Sequence, residues 1–325
     1  GGTLVFDKVN DTYTITLTDP LEGTSFDIIH TSQFLSKEPT SNVGHPPIVV
    51  ERLAADDSST PADEDFYVQF TGNLVNKANA FSLTNNGEGK SGDTTFTGTA
   101  HDMVSNNNET WVSATQGTNG VAGDTIQKGE LLTLRFFNDD VGINSEALQT
   151  PTTAATAGTV ALKFDGIGTS EDLMLILDLT DGTNSITKAI YVPNSAIFRT
   201  GHVPSPYSNE FTLDNNDGLV VIEQNDYNTG SEHYVIQGVQ IMQSGNGITG
   251  TAITLNGATG SGGASTGTHT FDPVDNDVLK ITDIGFTSTT TVSQTPDAHL
   301  DFSFQVADAD GDMTPMQHIL VDTIA

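Results

Sequence analysis

The apolar residues of this chain recur with a period of two, in runs too short for anything but strands. TYTITLTD (12–19) sets Tyr13, Ile15 and Leu17 on one side and threonines on the other. DFYVQFTG (65–72), ELLTLRFF (130–137), TVALKFDG (159–166) and DLMLILDL (172–179) follow. GLVVIEQ (218–224), YVIQGVQIM (234–242), TAITLNG (251–257), VLKITDIGF (278–286), LDFSFQVAD (300–308) and MQHILVD (316–322) continue the series. Successive side chains of a strand point to opposite faces, and Gly, Asn, Asp or Pro bounds each run. The expected fold is all-β: β-sandwich lobes with long loops and little helix. A short helix is expected over TSQFLSKE (31–38), and a turn at AIFRT (196–200).

Two segments, roughly 36–64 and 84–126, are rich in loop residues, and long loops in an ordered domain often carry binding. The three prolines of PNSAIFRTGHVPSPYSNEF (193–211) suggest a boundary. We therefore expect a loop-rich β lobe over 1–207 carrying the ligand site. A β-sandwich module over 208–325 follows, against which the N-terminal strand packs.

Charge limits the partners. The chain of 325 residues holds 42 acidic and 11 basic side chains, a formal charge of −31. That field repels phosphate backbones and anionic membranes, so neither nucleic acid nor a membrane surface is expected. Yet 35% of the residues are hydrophobic and only 16% charged, which is not the composition of a disordered chain. The excess acid calls for small hard cations, and Ca²⁺, which takes several oxygen ligands, suits best. With no cysteine, disulfides and thiolate metal sites are excluded. No run of about 18 apolar residues suggests membrane insertion. The ends, GGTLVF and LVDTIA, read as cuts through a longer polypeptide, and a monomeric module within such a chain is expected.

Catalytic patterns occur without their context. GASTG (263–267) matches the nucleophile elbow, but Ser265 lies in a Gly/Ser/Thr loop instead of a strand–helix turn. GNGITG (245–250) matches the dinucleotide fingerprint, but a strand follows where a helix is needed. The eight histidines are scattered. No enzymatic activity is expected.

The acidic clusters are more informative. In VADADGDMTP (306–315), Asp308, Asp310 and Asp312 fall on one side of an extended chain, and Gly311 permits a bend that brings them together. Three converging carboxylates favour a calcium ion; the alternative is a solvated acidic turn. FFNDDVGIN (136–144) offers Asp139 and Asp140 after a strand. LDNNDG (213–218) offers Asp214 and Asp217, in an Asx-rich turn that needs no metal. AADDSSTPADED (54–65) is a fourth run of acids, of a kind that is usually just solvated surface.

ITGTAITLNGATGSGG, FDPVDNDVLKITDIGF and LDFSFQVADADGDMT, in that order, resemble the repeated β modules of giant repeats-in-toxin (RTX) adhesins of Gram-negative bacteria. WVSATQGTNGVAGDTIQKGELLTLRF (111–136) resembles a segment of their ligand-binding regions. The glycine-rich nonapeptide repeats of the family are absent from this chain. The resemblance implies a secreted, cell-surface module that holds several Ca²⁺ ions and captures short peptide ends on host or neighbouring cells, in colonisation and biofilm formation. A calcium ion with an open coordination position would accept the peptide's terminal carboxylate, which an acidic protein otherwise repels.

The resemblance assigns no contact residues. The loops around 117–144 are the best candidates from the residues themselves. Asp124, Glu130, Asp139 and Asp140 lie there beside Gly120 and Gly123, whose backbone admits close approach. Tyr67 and Trp111 are candidate apolar walls, although Trp111 fits a core anchor equally well. Two competing readings are a calcium-dependent lectin-like module, weakened by an aromatic content of 7%, and a structural spacer of the fibril.

Overall fold

The computed structural model describes residues 2–7, 12–17, 28–54, 66–74, 83–84, 95–96, 103–104, 108–143, 155–243, 249–260, 265–269, 278–288, 298–305 and 310–323. The strands in chain order are β1 (Gly2–Asp7), β2 (Thr12–Leu17), β3 (Ile29–His30), β4 (Ser36–Glu38), β5 (Ile48–Ala54), β6 (Phe66–Leu74), β7 (Leu83–Thr84), β8 (Thr95–Phe96), β9 (Met103–Val104), β10 (Glu109–Thr110), β11 (Val112–Ala114) and β12 (Asn119–Val121). Then come β13 (Glu130–Phe137), β14 (Ala157–Phe164), β15 (Leu173–Thr180), β16 (Ser185–Val192), β17 (Gly218–Ile222), β18 (Val235–Gln243), β19 (Thr249–Thr254), β20 (Ser265–His269), β21 (Ile281–Ser288), β22 (Ala298–Phe304) and β23 (Gln317–Thr323). Among the described residues helix is confined to α1 (Tyr207–Glu210), α2 (Gln224–Tyr227) and two 3-10 turns, Thr31–Gln33 and Asn194–Ala196. The chain is all-β, as its alternation implies. The helix expected over 31–38 is one 3-10 turn followed by β4, whose short polar strand pairs with the apolar β5.

The chain divides into two compact units, one of residues 1–26 with 291–325 and one of residues 27–290. This differs from the division expected at 207/208. Residue 208 lies inside the second unit because strands on either side of it share ladders: β13 and β15 both pair with β18, and β14 pairs with β17 and β21. The proline-rich stretch at 193–211 is a connection within one core. The first unit contains two antiparallel hairpins, β1–β2 and β22–β23.

In the second unit, β4, β5, β6, β13, β18, β15 and β16 pair in that spatial order, all antiparallel, and β19 adds to β16 in parallel. A second run, β17–β14–β21–β3, faces them. The bridge Ala157 to Ile236 joins the two into one curled sheet, and the bridge Asn119 to Ile281 ties β12 to the second run. Their inner faces close on one core. Phe70, Leu132, Leu134, Leu175 and Ile241 from the first run meet Val160, Leu162, Val220 and Ile284 from the second. Phe286 packs edge-on to Phe136, ring centroids 4.9 Å apart, and at 5.5 Å from Phe66. Such aromatic clusters add to the area term that drives burial. The outer end of this sandwich carries the β11–β12 hairpin, which covers the inner face of β6 at Gly72, where an added Cβ would lie 3.1 Å from both Val112 and Val121.

Candidate ligand-binding site

β11 and β12 pair in register Val112 to Val121, Ser113 to Gly120 and Ala114 to Asn119. Alternation turns Val112, Ala114 and Val121 into the apolar core and puts Ser113 on the opposite face of the strand, where it is also buried. The connecting loop is closed by Thr115, whose Oγ1 accepts from the Thr118 N–H (3.0 Å) and the Gly117 N–H (3.2 Å). Beyond β12 the chain folds straight back. A Cβ on Gly120 would lie 2.4 Å from the Gly123 carbonyl oxygen and 2.5 Å from the Thr125 nitrogen, so only glycine fits. The close backbone approach expected at Gly120 is therefore made by the chain's own turn, whereas Gly117 and Gly123 face open space.

The turn between β4 and β5 abuts this hairpin. The Val112 N–H donates to the Pro46 carbonyl at 2.9 Å. His45, held in the left-handed region at φ 54°, lays its ring on the indole of Trp111, centroids 4.3 Å apart and planes 13° from parallel. His45 is exposed, Trp111 is half-buried, and Val43 beside them is 88% exposed. The sole tryptophan is thus part of a surface-facing stack.

A polar chain runs beneath. The Lys37 ammonium donates to Asn42 Oδ1 (2.9 Å) and to the Ala114 carbonyl (2.9 Å), tying the turn to the hairpin. Asn42 Nδ2 donates to Ser113 Oγ (3.2 Å), and Ser113 Oγ donates to Asp124 Oδ1 (3.2 Å). Thr118 Oγ1 approaches the same oxygen at 3.5 Å. Asp124 is thereby positioned at the surface by two hydroxyls. Burial lowers the Lys37 pKa, and the facing Glu51 raises it, with the lowering dominant. Glu51 sits opposite Lys37 in register, on the inner face between Val49 and Leu53. It has no exposed surface and neither carboxylate oxygen has a hydrogen-bond partner. Burial, partly offset by Lys37, lifts its pKa to about 8.

Comparison with family models, characterised proteins and solved structures found no match for this chain.

The other expected residues lie apart from this stack. Tyr67 is half-buried on β6, but alternation from the core residues Phe66 and Val68 puts it on the opposite face of the strand. It is not a wall shared with Trp111. Glu130, nearly buried at the start of β13, accepts the Gln127 N–H at 2.7 Å and closes its own turn. Desolvation, opposed by that bond, leaves its pKa raised. Asp139 and Asp140 are exposed beyond β13, and Asp140 Oδ1 accepts the Gly142 N–H. Asp217 is buried and paired with Lys163 at 3.1 Å, while it accepts the Asp214 N–H. Asp214 accepts the Asn216 N–H, which holds its pKa below the usual range. This pair closes an Asx-type turn of its own. Asp308 lies outside the described residues; Asp310 and Asp312 are exposed, either side of Gly311 at φ 96°. Among the described residues no three His, Asp or Glu side chains come together in a group able to hold a metal.

The sequence reading passed over Lys37, Asn42, Ser113 and Glu51. Only Glu51 left a signal: it is a lone acid within the apolar run IVVERLA.

Proposed function

We propose that this chain is a non-enzymatic, calcium-dependent adhesion module of a bacterial cell-surface protein that holds short peptide ends of another cell on the His45–Trp111 stack. The observation that supports this most is the stack itself. A flat aromatic pair stands at the surface on two elements locked together by Lys37, with an exposed, positioned carboxylate, Asp124, on the same hairpin. Rigid aromatic surface next to a polar anchor is how compact binding sites gain affinity at small entropic cost. Asp124 and the hydroxyls of Ser113 and Thr118 are hard oxygen donors of the kind calcium takes. A calcium ion there would supply the positive charge that a chain of net charge −31 lacks for a peptide carboxylate.

The same stack favours a second reading, a lectin-like module, because a sugar ring also packs on aromatic faces. One experiment separates the two. Trp111 is the only tryptophan, so its fluorescence reports the site directly. Peptides with free and amidated C-termini, and a panel of sugars, are titrated with calcium and with chelator. The proposal expects calcium-dependent quenching or shift with the free-ended peptide and a much weaker response with the amide. Equal affinities would remove the carboxylate from the mechanism. A response to sugars alone would establish the lectin, and no response to either would leave a spacer.

A further inference from the structure

A buried histidine stands where the chain passes into and out of the second unit. That unit begins at Asp27 and ends at Thr290. Its first strand, β3, and the strand nearest its end, β21, are neighbours, paired antiparallel with His30 opposite Gly285 and Ile29 opposite Phe286. The described strands nearest both boundaries of the unit therefore form one two-stranded stem. We propose that His30, Asp283 and Glu210 form a pH-responsive clasp on this stem, closed when the imidazole carries two protons. This goes beyond the adhesion reading and does not depend on it.

His30 Nδ1 lies 2.7 Å from Asp283 Oδ2 on β21. Its Nε2 lies 3.5 Å from Glu210 Oε2 on α1. The other Asp283 oxygen accepts the Thr31 hydroxyl (3.2 Å) and the Ser32 N–H (3.0 Å), and Thr31 Oγ1 accepts the Ile284 N–H (2.9 Å). One carboxylate thus fastens three consecutive residues of the first strand and its turn. Phe211, next to Glu210, packs its ring 4.8 Å from that of His30. Phe211 and Ile28 reach β21 only because residue 285 is glycine: a Cβ there would lie 2.5 Å from Ile28 and 2.7 Å from Phe211.

The two arms respond differently to a proton. A neutral imidazole keeps Nδ1–H on Asp283, since that bond is short and buried. Its Nε2 lone pair then faces the Glu210 carboxylate, and the α1 arm is repulsive. Adding the second proton turns the same contact into an ion pair. Burial opposes the charge on His30, but the bond to Asp283 and its charge, then those of Glu210, outweigh it and leave the pKa above its ordinary value. Among the described residues no other charge is paired with His30. Lys163, opposite Asp283 in register, is paired with Asp217. The 3-10 turn Thr31–Gln33 has no ionisable side chain, and Glu51 and Arg52 of β5 make no ion pair with His30. Because the folded pKa is raised, the stabilisation is fully present below the ordinary histidine pKa and is lost as pH rises through the folded one.

The test uses the whole chain. Imidazole resonances are followed by NMR through pH, with the His30→Gln variant identifying the signal, and amide-exchange protection of residues 28–33 is measured below and above the transition. His30 is expected to titrate above its ordinary value. Protection corrected for intrinsic exchange is expected to fall as pH rises through the transition. Glu210→Gln, a half-exposed change that leaves the Asp283 arm intact, should lower the His30 pKa and flatten the protection profile even if His30→Gln does not fold. A His30 titration at or below the ordinary value, or a Glu210→Gln profile that follows the wild type, would overturn the proposal.

Discussion

Replacing Glu51 with glutamine should make this protein more stable in alkali, and the size of the effect follows from where the side chain lies. Glu51 has no exposed surface, stands between Val49 and Leu53, and has no hydrogen-bond partner on either oxygen. The nearest cation, Lys37, spends its bonds on Asn42 and Ala114. Desolvation raises the carboxyl pKa from 4.5 to about 8 despite Lys37. Between those values the folded chain keeps a proton that the unfolded chain has released, so stability falls as pH rises. Each pH unit costs about 1.4 kcal/mol, and the full interval of roughly 3.5 units about 5 kcal/mol. Glutamine has nearly the same shape and no charge to lose. It leaves its own amide unpaired, at about 1–3 kcal/mol, but at every pH alike. The readout is therefore the difference. Urea unfolding of Glu51→Gln and wild type, followed by Trp111 fluorescence, should show the variant equal or weaker near about pH 5 and stronger by several kcal/mol near about pH 9. Parallel curves for the two proteins would refute the reasoning and mean that the folded chain accommodates the Glu51 anion.

Gly120→Ala should cost about 1–3 kcal/mol and shift the Trp111 emission, because the new methyl meets the backbone of residues 123–125; thermal melts read the first effect and fluorescence the second. Calcium in excess over its dissociation constant should raise the melting midpoint, by about 2.7 kcal/mol of stability at a hundredfold excess, and an unchanged midpoint with chelator would remove calcium from the fold's energetics. The double change Asp310→Ala and Asp312→Ala should reduce the calcium-dependent part of that shift and leave peptide affinity intact; lost affinity in a folded variant would move the ligand site to that turn. Lys37→Met should loosen the platform, lowering affinity at the Trp111 site more than it lowers global stability, since Lys37 bonds both elements that carry the stack.

Most of the strand pattern could be read along the chain because its cause is local. ELLTLRFF became β13 over the same residues, and TYTITL, DLMLILDL and YVIQGVQIM are strands shifted by a residue or two at their ends. β5 was missed within a stretch read as loop, because GHPP precedes it and an acid run follows it. β11 and β12 were missed for a different reason: three residues each, they are strands only because β6 offers Gly72 as a seat. The stack of His45 on Trp111 joins residues 66 positions apart, and the Ser113–Asp124 bond depends on a turn enforced by Gly120. Spacing along the chain marked Trp111, Gly120 and Asp124 as worth attention. It gave no sign that His45 and Lys37 complete them, or that Tyr67 points the other way. The false boundary near 208 has the same origin. Prolines report local chain direction, whereas the division into units is decided by which strands share ladders.

The neighbouring placement of β3 and β21 has a mechanical consequence. Residues before 27 and after 290 belong to one unit, so in sequence the second unit is an insertion within the first. Tension along the polypeptide is borne first by the unit that holds both outer segments. Only when that gives way does load reach β3 and β21, and it then pulls two antiparallel partners apart from their shared end, one bond after another. The residue pairs that meet it first are Ile29 with Phe286 and His30 with Gly285. Single-molecule pulling from the two ends should accordingly lengthen the outer unit before any extension from residues 27–290 appears.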